Sequence, residues 1–206
     1  MSSRTPPRRP ALWEPANTER IPGGPDPERV YEAAHASAQA LLDLGRSTSN
    51  REEHRRLVSL VQDEGIEVLA NVWSTSAAVS LPGALWRLYL IREWIRTDSA
   101  GVAHAYNRGL EAHDVDHAIA GVPPLHGPSE VSETIDAILT GAFDGELDVA
   151  FDRAASLARV AAAGVRSDHG SGTRPERRLT TLARDLTLAA RAQRRGALYV
   201  DAQEEE

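Results

Sequence analysis

The segment from Ser80 to Gly101 contains a predicted helix, beginning at Pro82, whose apolar side chains point in nearly all directions around its axis. At about 100° per residue, the apolar residues fall on three sides: Ala84, Leu88, Ile91 and Ile95; Leu85 and Tyr89; and Trp86, Leu90 and Trp94. A surface helix carries one apolar stripe, whereas a helix that is apolar all round packs between neighbours. The segment therefore predicts a central helix that is surrounded by other helices.

The same segment has a second interpretation, as one wall of a binding groove. Trp86 and Trp94 lie on its third side, and Arg87 follows the first of them. Tryptophan faces together with guanidinium groups suit an anionic ligand or the acidic helix of a partner protein. These three residues are the first candidate binding residues, and a purely structural role in the core is the alternative.

No alternating run of β-branched residues in the chain is longer than four, so we predict an all-α fold, a single helical domain of seven to nine helices. The N-terminal residues 1–25 include six prolines and two glycines, and they predict a disordered arm in which Trp13 could still dock on the body. The predicted divisions are the arm at 1–25, the core domain at 26–164, a linker at 165–175, a hinged docking helix at 176–196 and an acidic tail at 197–206.

Composition excludes several kinds of chemistry. All 23 basic residues are arginine, and the chain has neither lysine nor cysteine. A P-loop, a Schiff-base lysine, a thiolate nucleophile and a disulfide each need one of the missing side chains. The net charge of −7 argues against duplex DNA as a partner. No apolar run approaches the ~20 residues of a membrane span, and the first residues lack a signal-peptide core, so we expect a cytoplasmic protein that does not bind membranes.

Charge is segregated along the second half of the chain. Residues 109–152 carry ten acidic residues and no arginine, whereas residues 174–196 carry seven arginines and two acidic residues. A leucine seam of Leu179, Leu182 and Leu186 runs along the basic segment. The pattern predicts a helix that docks through its leucines on the protein's own body, on a second copy or on a partner protein, with arginines such as Arg184 and Arg191 setting orientation.

One cluster has the composition of a metal site. His113 and His117 stand four residues apart, which on a helix places both imidazoles on one face, and Asp114 lies beside them. Histidine and carboxylate ligands suit zinc, manganese or iron. The simpler alternative is that Asp114 caps a short helix and that the histidines lie at the surface.

Two resemblances to known proteins accompany these patterns. The His113-Asp114 pair resembles the doublet of HD-domain phosphohydrolases, which implies a divalent-metal-dependent hydrolase with His35 or His54 as the upstream ligand. The segments "SLPGALWRLYLIREWIRTD" and "FDGELDVAFDRAASLARVAAAG" resemble small all-helical proteins of high-GC actinobacteria that have no established activity, over roughly residues 50–165. The second resemblance implies kinship and no mechanism.

We therefore expect a non-enzymatic helical adaptor or regulatory protein that binds another macromolecule, as part of a larger bacterial assembly. No catalytic residue and no cofactor are predicted. A metal-dependent phosphohydrolase centred on His113, Asp114 and His117 is one alternative. A small-ligand sensor built around Trp86 and Trp94 is the other.

Overall fold

A computed structural model of the chain describes residues 26–47, 72–112, 127–143 and 145–198. These ranges contain six helices and no strand: α1 Pro27–Ser47, α2 Leu81–Thr97, α3 Ser99–Ala112, α4 Pro128–Phe143, α5 Leu147–His169 and α6 Arg174–Arg194. The all-α prediction is confirmed for these residues, whereas the predicted number of seven to nine helices is not confirmed. The predicted arm at 1–25 and most of the tail at 197–206 lie outside the described residues. None of the described helices is long and apolar enough to cross a membrane.

Helix α2 lies at the centre of the fold. Ser80 caps its start by accepting a hydrogen bond from the backbone N–H of Gly83 at 3.2 Å, and Pro82 occupies the first turn, where no N–H donor is needed. The helix contacts each of the other five described helices. Leu88, Ile91 and Ile95 are buried against them, as its apolar pattern predicts.

Helices α3 and α5 pack closely because two glycines lack side chains. A Cβ atom on Gly109 would lie 1.9 Å from the carbonyl oxygen of Val160, and one on Gly164 would lie 1.8 Å from that of Ala105. The prediction that the core domain ends at Gly164 and that residues 165–175 form a linker is therefore wrong for residues 165–169. Gly164 is a packing position inside α5, and the helix continues to His169.

The turn between α5 and α6 consists of residues 170–173. Gly170 and Gly172 have φ angles of 82° and 79°, a left-handed conformation that favours glycine. Thr173 Oγ1 accepts a hydrogen bond from the N–H of Glu176 at 3.4 Å, and Glu176 Oε2 accepts one from the N–H of Gly172 at 2.8 Å. These bonds resemble a capping box and fix the direction in which α6 leaves the turn. The predicted hinge is not confirmed.

Helix α6 packs along α5 as the second arm of a helical hairpin. Its seam residues Leu179 and Leu186 are buried, and Leu182 is partly buried. Arg194 joins the helix to the acidic segment through Asp152 at 2.6 Å and Asp148 at 3.4 Å. In this structure the basic helix is thus docked on the protein's own body.

Candidate functional site

A cleft with a volume of about 1010 Å³ lies between α2 and α6. We call it the tryptophan cleft. Its apolar lining comes from both helices and from the end of α5, and consists of Trp86, Leu90, Trp94, Val165, Pro175, Leu179 and Leu182. Its charged lining consists of Arg87, Arg174, Arg177, Arg178 and Asp185.

The third apolar side of α2 forms the wall of this cleft. Leu90 is 42% exposed, and Trp86 and Trp94 are partly buried, whereas the residues of the other two sides are buried. The prediction that neighbours surround the helix therefore holds for two of its sides. The two interpretations of α2, as a core helix and as the wall of a groove, therefore both apply, because two sides of the helix are buried and the third lines the cleft.

Arg87 reaches across the cleft to α6. Its Nε donates to Asp185 Oδ2 at 2.8 Å, and its Nη1 donates to the carbonyl oxygen of Gly83 at 2.9 Å. Because Asp185 already neutralises this guanidinium, Arg87 acts mainly to position the two walls. The charge available to a ligand must come from other arginines.

Those arginines lie in the first turns of α6. Arg177 donates a hydrogen bond to the carbonyl oxygen of Gly172 and so holds the turn before the helix. Arg174 and Arg178 form no ion pair with any residue in the described part of the chain. They give the cleft a basic rim beside its apolar lining.

The arginines of α6 that were predicted to bind a partner, Arg184 and Arg191, lie on another side of the helix. Arg184 and Arg191 line a second groove between α5 and α6 and do not contribute to the tryptophan cleft. Helical spacing could have separated the two sets, because Arg178 lies about 40° from Leu182 around the helix axis, whereas Arg184 and Arg191 lie about 180–200° away. Leu186, another predicted binding residue, is fully buried in the core.

The predicted metal ligands His113, Asp114 and His117 lie outside the described residues, as does His54. Within the ranges that are described, no group of three or more histidine and carboxylate side chains could hold a metal ion. His35, the other candidate upstream ligand, makes a hydrogen bond through Nδ1 with the carbonyl oxygen of Tyr31 at 3.1 Å on its own helix.

Perturbed titratable groups occur away from the cleft. Hydrogen bonds from Arg108, and secondarily from His104, lower the pKa of Asp168 where α3 meets α5. Burial raises the pKa of Tyr89, whose ring lies beside that of Trp73 in the core. Asp185 is the only carboxylate among the cleft residues that are described, and it is paired. This arrangement suits binding better than acid–base chemistry.

Fold and site together describe an all-helical protein with an aromatic, basic cleft. Comparisons of the chain with protein-family models, with curated proteins and with solved structures gave no match. The resemblances to HD-domain phosphohydrolases and to actinobacterial helical proteins therefore stay predictions.

Proposed function

We propose that this protein is a non-enzymatic helical adaptor or regulatory protein whose tryptophan cleft binds an acidic, amphipathic helix of a partner protein. The observation that carries the proposal is the combination of an apolar lining with arginines on one rim, Arg174 and Arg178, that have no ion-pair partner among the described residues. A cytoplasmic location within a larger bacterial assembly fits this role and is part of the proposal.

The apolar lining has the dimensions of a helix-binding groove. Trp86, Leu90 and Trp94 are spaced four residues apart, so they extend about 12 Å along α2 at a rise of roughly 1.5 Å per residue. Leu179 and Leu182 face them from α6. A partner helix with apolar residues at positions i, i+3, i+4 and i+7 covers a similar length. The tryptophans would contribute most of the affinity as buried aromatic anchors.

The charges of the cleft favour an acidic partner. Arg87 is neutralised by Asp185, and Arg177 is held by the carbonyl oxygen of Gly172. Arg174 and Arg178 are left to meet a ligand without a competing carboxylate from the described lining. Exposed charges of this kind mainly accelerate association and add salt dependence. Carboxylates on the partner helix beside its apolar stripe would meet this rim.

A small anionic ligand is the second candidate for the cleft. Its volume of about 1010 Å³ is at the upper end of the roughly 300–1,000 Å³ typical of ligand pockets, which supports the sensor alternative.

The phosphohydrolase alternative depends on His113, Asp114 and His117. Metal analysis of the purified protein would test it, because stoichiometric manganese, iron or zinc would favour a hydrolase.

The test uses a designed helical peptide with leucines at i, i+3, i+4 and i+7 and glutamates elsewhere, and a scrambled peptide of the same composition. Tryptophan fluorescence and calorimetry report binding. Leu90→Ala should weaken binding about tenfold or more, because Leu90 lies in the cleft. Leu188→Ala is the matched control, since Leu188 is a similarly exposed leucine outside the cleft, 37% against 42% for Leu90.

A second pair of variants tests the rim. Arg178→Gln should weaken binding and reduce its salt dependence, whereas Arg153→Gln removes an exposed arginine of α5 that does not line the cleft. Equal affinities for the designed and scrambled peptides, or equal effects of Leu90→Ala and Leu188→Ala, would overturn the peptide-binding proposal. Binding of the anionic dye 8-anilinonaphthalene-1-sulfonate that depends on Trp86, without peptide binding, would favour the small-ligand sensor instead.

A further inference from the structure

A second groove, with a volume of about 460 Å³, lies between α5 and α6 on the side of α6 that faces away from the tryptophan cleft. Arg159 and Arg166 of α5 and Arg184 and Arg191 of α6 line it, and we call it the arginine groove. The two grooves share no lining residue. The arginine groove can therefore be studied separately from the proposed function.

The arginines of the groove have matched spacing. Arg159 and Arg166 are seven residues apart, as are Arg184 and Arg191, and seven residues rise about 10.5 Å along a helix. Arg159 Nη2 donates to Thr187 Oγ1 at 3.1 Å, which fixes the register of the two helices. Because Thr187 lies between Arg184 and Arg191 on α6, Arg159 faces the space between those two arginines.

The positive charge of this groove is largely uncompensated by the residues that the structure describes. Arg166 lies 3.8 Å from Glu176, but Arg159, Arg184 and Arg191 form no ion pair with any described residue. No aspartate or glutamate is among the residues that line the groove in the described part of the chain. Like charges that line one groove repel one another, and a bound anion would reduce that repulsion. The concentration of charge occurs in a chain whose net charge is −7.

We infer that the arginine groove binds a compound that carries two or more linked phosphate groups. Guanidinium groups match phosphate oxygens in bidentate geometry, and a short chain of phosphates can contact arginines from both helices at once. No aromatic side chain lines the groove among the described residues, so it lacks the stacking platform on which single-stranded nucleic acids depend. Its small apolar lining, mainly Ala162, Ala183 and Leu188, also offers little to an amphipathic peptide.

The test is calorimetric titration of the full chain with sodium tripolyphosphate at constant ionic strength. Orthophosphate, sulfate and a hexaglutamate peptide are the comparison ligands. Tripolyphosphate should bind more tightly than any of these, and Arg184→Gln or Arg191→Gln should each weaken it by roughly tenfold, the effect of losing one charge-assisted contact. Arg153→Gln and Arg195→Gln are matched controls, because each removes an exposed arginine outside the groove.

A measurement without ligand provides an independent check. If the groove arginines repel one another, Arg184→Gln should raise the melting temperature at low salt, and the gain should shrink as salt screens the charges. Equal loss of tripolyphosphate binding in the control variants, or tighter binding of hexaglutamate than of tripolyphosphate, would overturn the inference. Leu90→Ala should leave tripolyphosphate binding unchanged, so failure of the cleft proposal and failure of this one are distinguishable.

Discussion

Arg87 on α2 and Asp185 on α6 form an ion pair in which Nε lies 2.8 Å from Oδ2, although the two residues are 98 positions apart in the sequence. Their side chains are only 20% and 18% exposed. The pair joins the central helix to the C-terminal helix at the edge of the tryptophan cleft. It therefore sets how far apart the two walls of the cleft stand.

Replacement of Asp185 should destabilise the protein. Asp185→Ala leaves the guanidinium of Arg87 partly buried without its carboxylate, which should lower the free energy of unfolding by about 1–3 kcal/mol. Urea denaturation followed by circular dichroism measures the change. Asp43→Ala is the control, because Asp43 pairs with Arg46 at 3.7 Å with both side chains largely exposed, and its loss should cost at most ~1 kcal/mol. Similar losses in both variants would contradict the structural role of the Arg87–Asp185 pair.

Truncating a leucine of α2 to alanine should lower the free energy of unfolding by an amount that depends on which side of the helix the leucine lies. Leu88→Ala should cost about 2–5 kcal/mol, because Leu88 is fully buried, and Leu90→Ala should cost less than about 1 kcal/mol, because Leu90 faces the cleft. Thermal or urea unfolding of the two variants checks the difference. If Leu88→Ala melts within a degree of the wild type, the central position of α2 is wrong.

Two glycine substitutions should have opposite effects. Gly164→Ala would bring Cβ within 1.8 Å of the backbone oxygen of Ala105, so α3 and α5 must separate, and we expect a loss of about 1–3 kcal/mol or more. Gly141→Ala in α4 meets no atom closer than 3.9 Å and should stabilise the helix by roughly 0.5–1 kcal/mol. The comparison uses midpoints of chemical denaturation. A neutral Gly164→Ala would show that α3 and α5 do not pack this closely in solution.

Tyr89→Phe should be neutral or slightly stabilising near pH 7. The hydroxyl of Tyr89 is buried without a hydrogen-bond partner among the described residues. Its removal therefore breaks no hydrogen bond to those residues and ends a desolvation cost of about 1–3 kcal/mol at most. Folding disfavours the charged phenolate, and burial accordingly raises the pKa of Tyr89 above its usual 10.0. Ionisation of Tyr89 therefore leaves the free energy of unfolding unchanged below that ordinary pKa and lowers it as the pH rises towards the folded-state pKa.

The free energy of unfolding measured at pH values above 10 therefore tests the role of Tyr89. Tyr89→Phe should lose less stability above pH 10 than the wild type, as measured by urea denaturation at a series of pH values. Tyr31→Phe is the control, because Tyr31 is exposed and should leave the curve unchanged. A marked loss of stability in Tyr89→Phe at pH 7 would show that the hydroxyl makes a bond in solution.

The sequence by itself determined the helical class and some of the local signals that start helices. Apolar residues at helical spacing predict α2 and its buried sides, and Ser80 and Thr173 are helix-start signals that act within a few residues of themselves. Such signals are local, so the order of residues contains them completely. The same holds for the absence of lysine and cysteine, which removes whole classes of chemistry regardless of fold.

Only the tertiary structure decided which residues meet. Gly164 has the appearance of a helix end, and its role as a contact point with Ala105 depends on how α3 crosses α5. Arg87 could have paired with any carboxylate in reach, and the packing of α6 against α2 selected Asp185. Helical spacing divides the arginines of α6 into two sets, and the positions of α2 and α5 decide which groove each set lines. Helical periodicity fixes which residues share a face, whereas the position of neighbouring helices fixes what that face contacts.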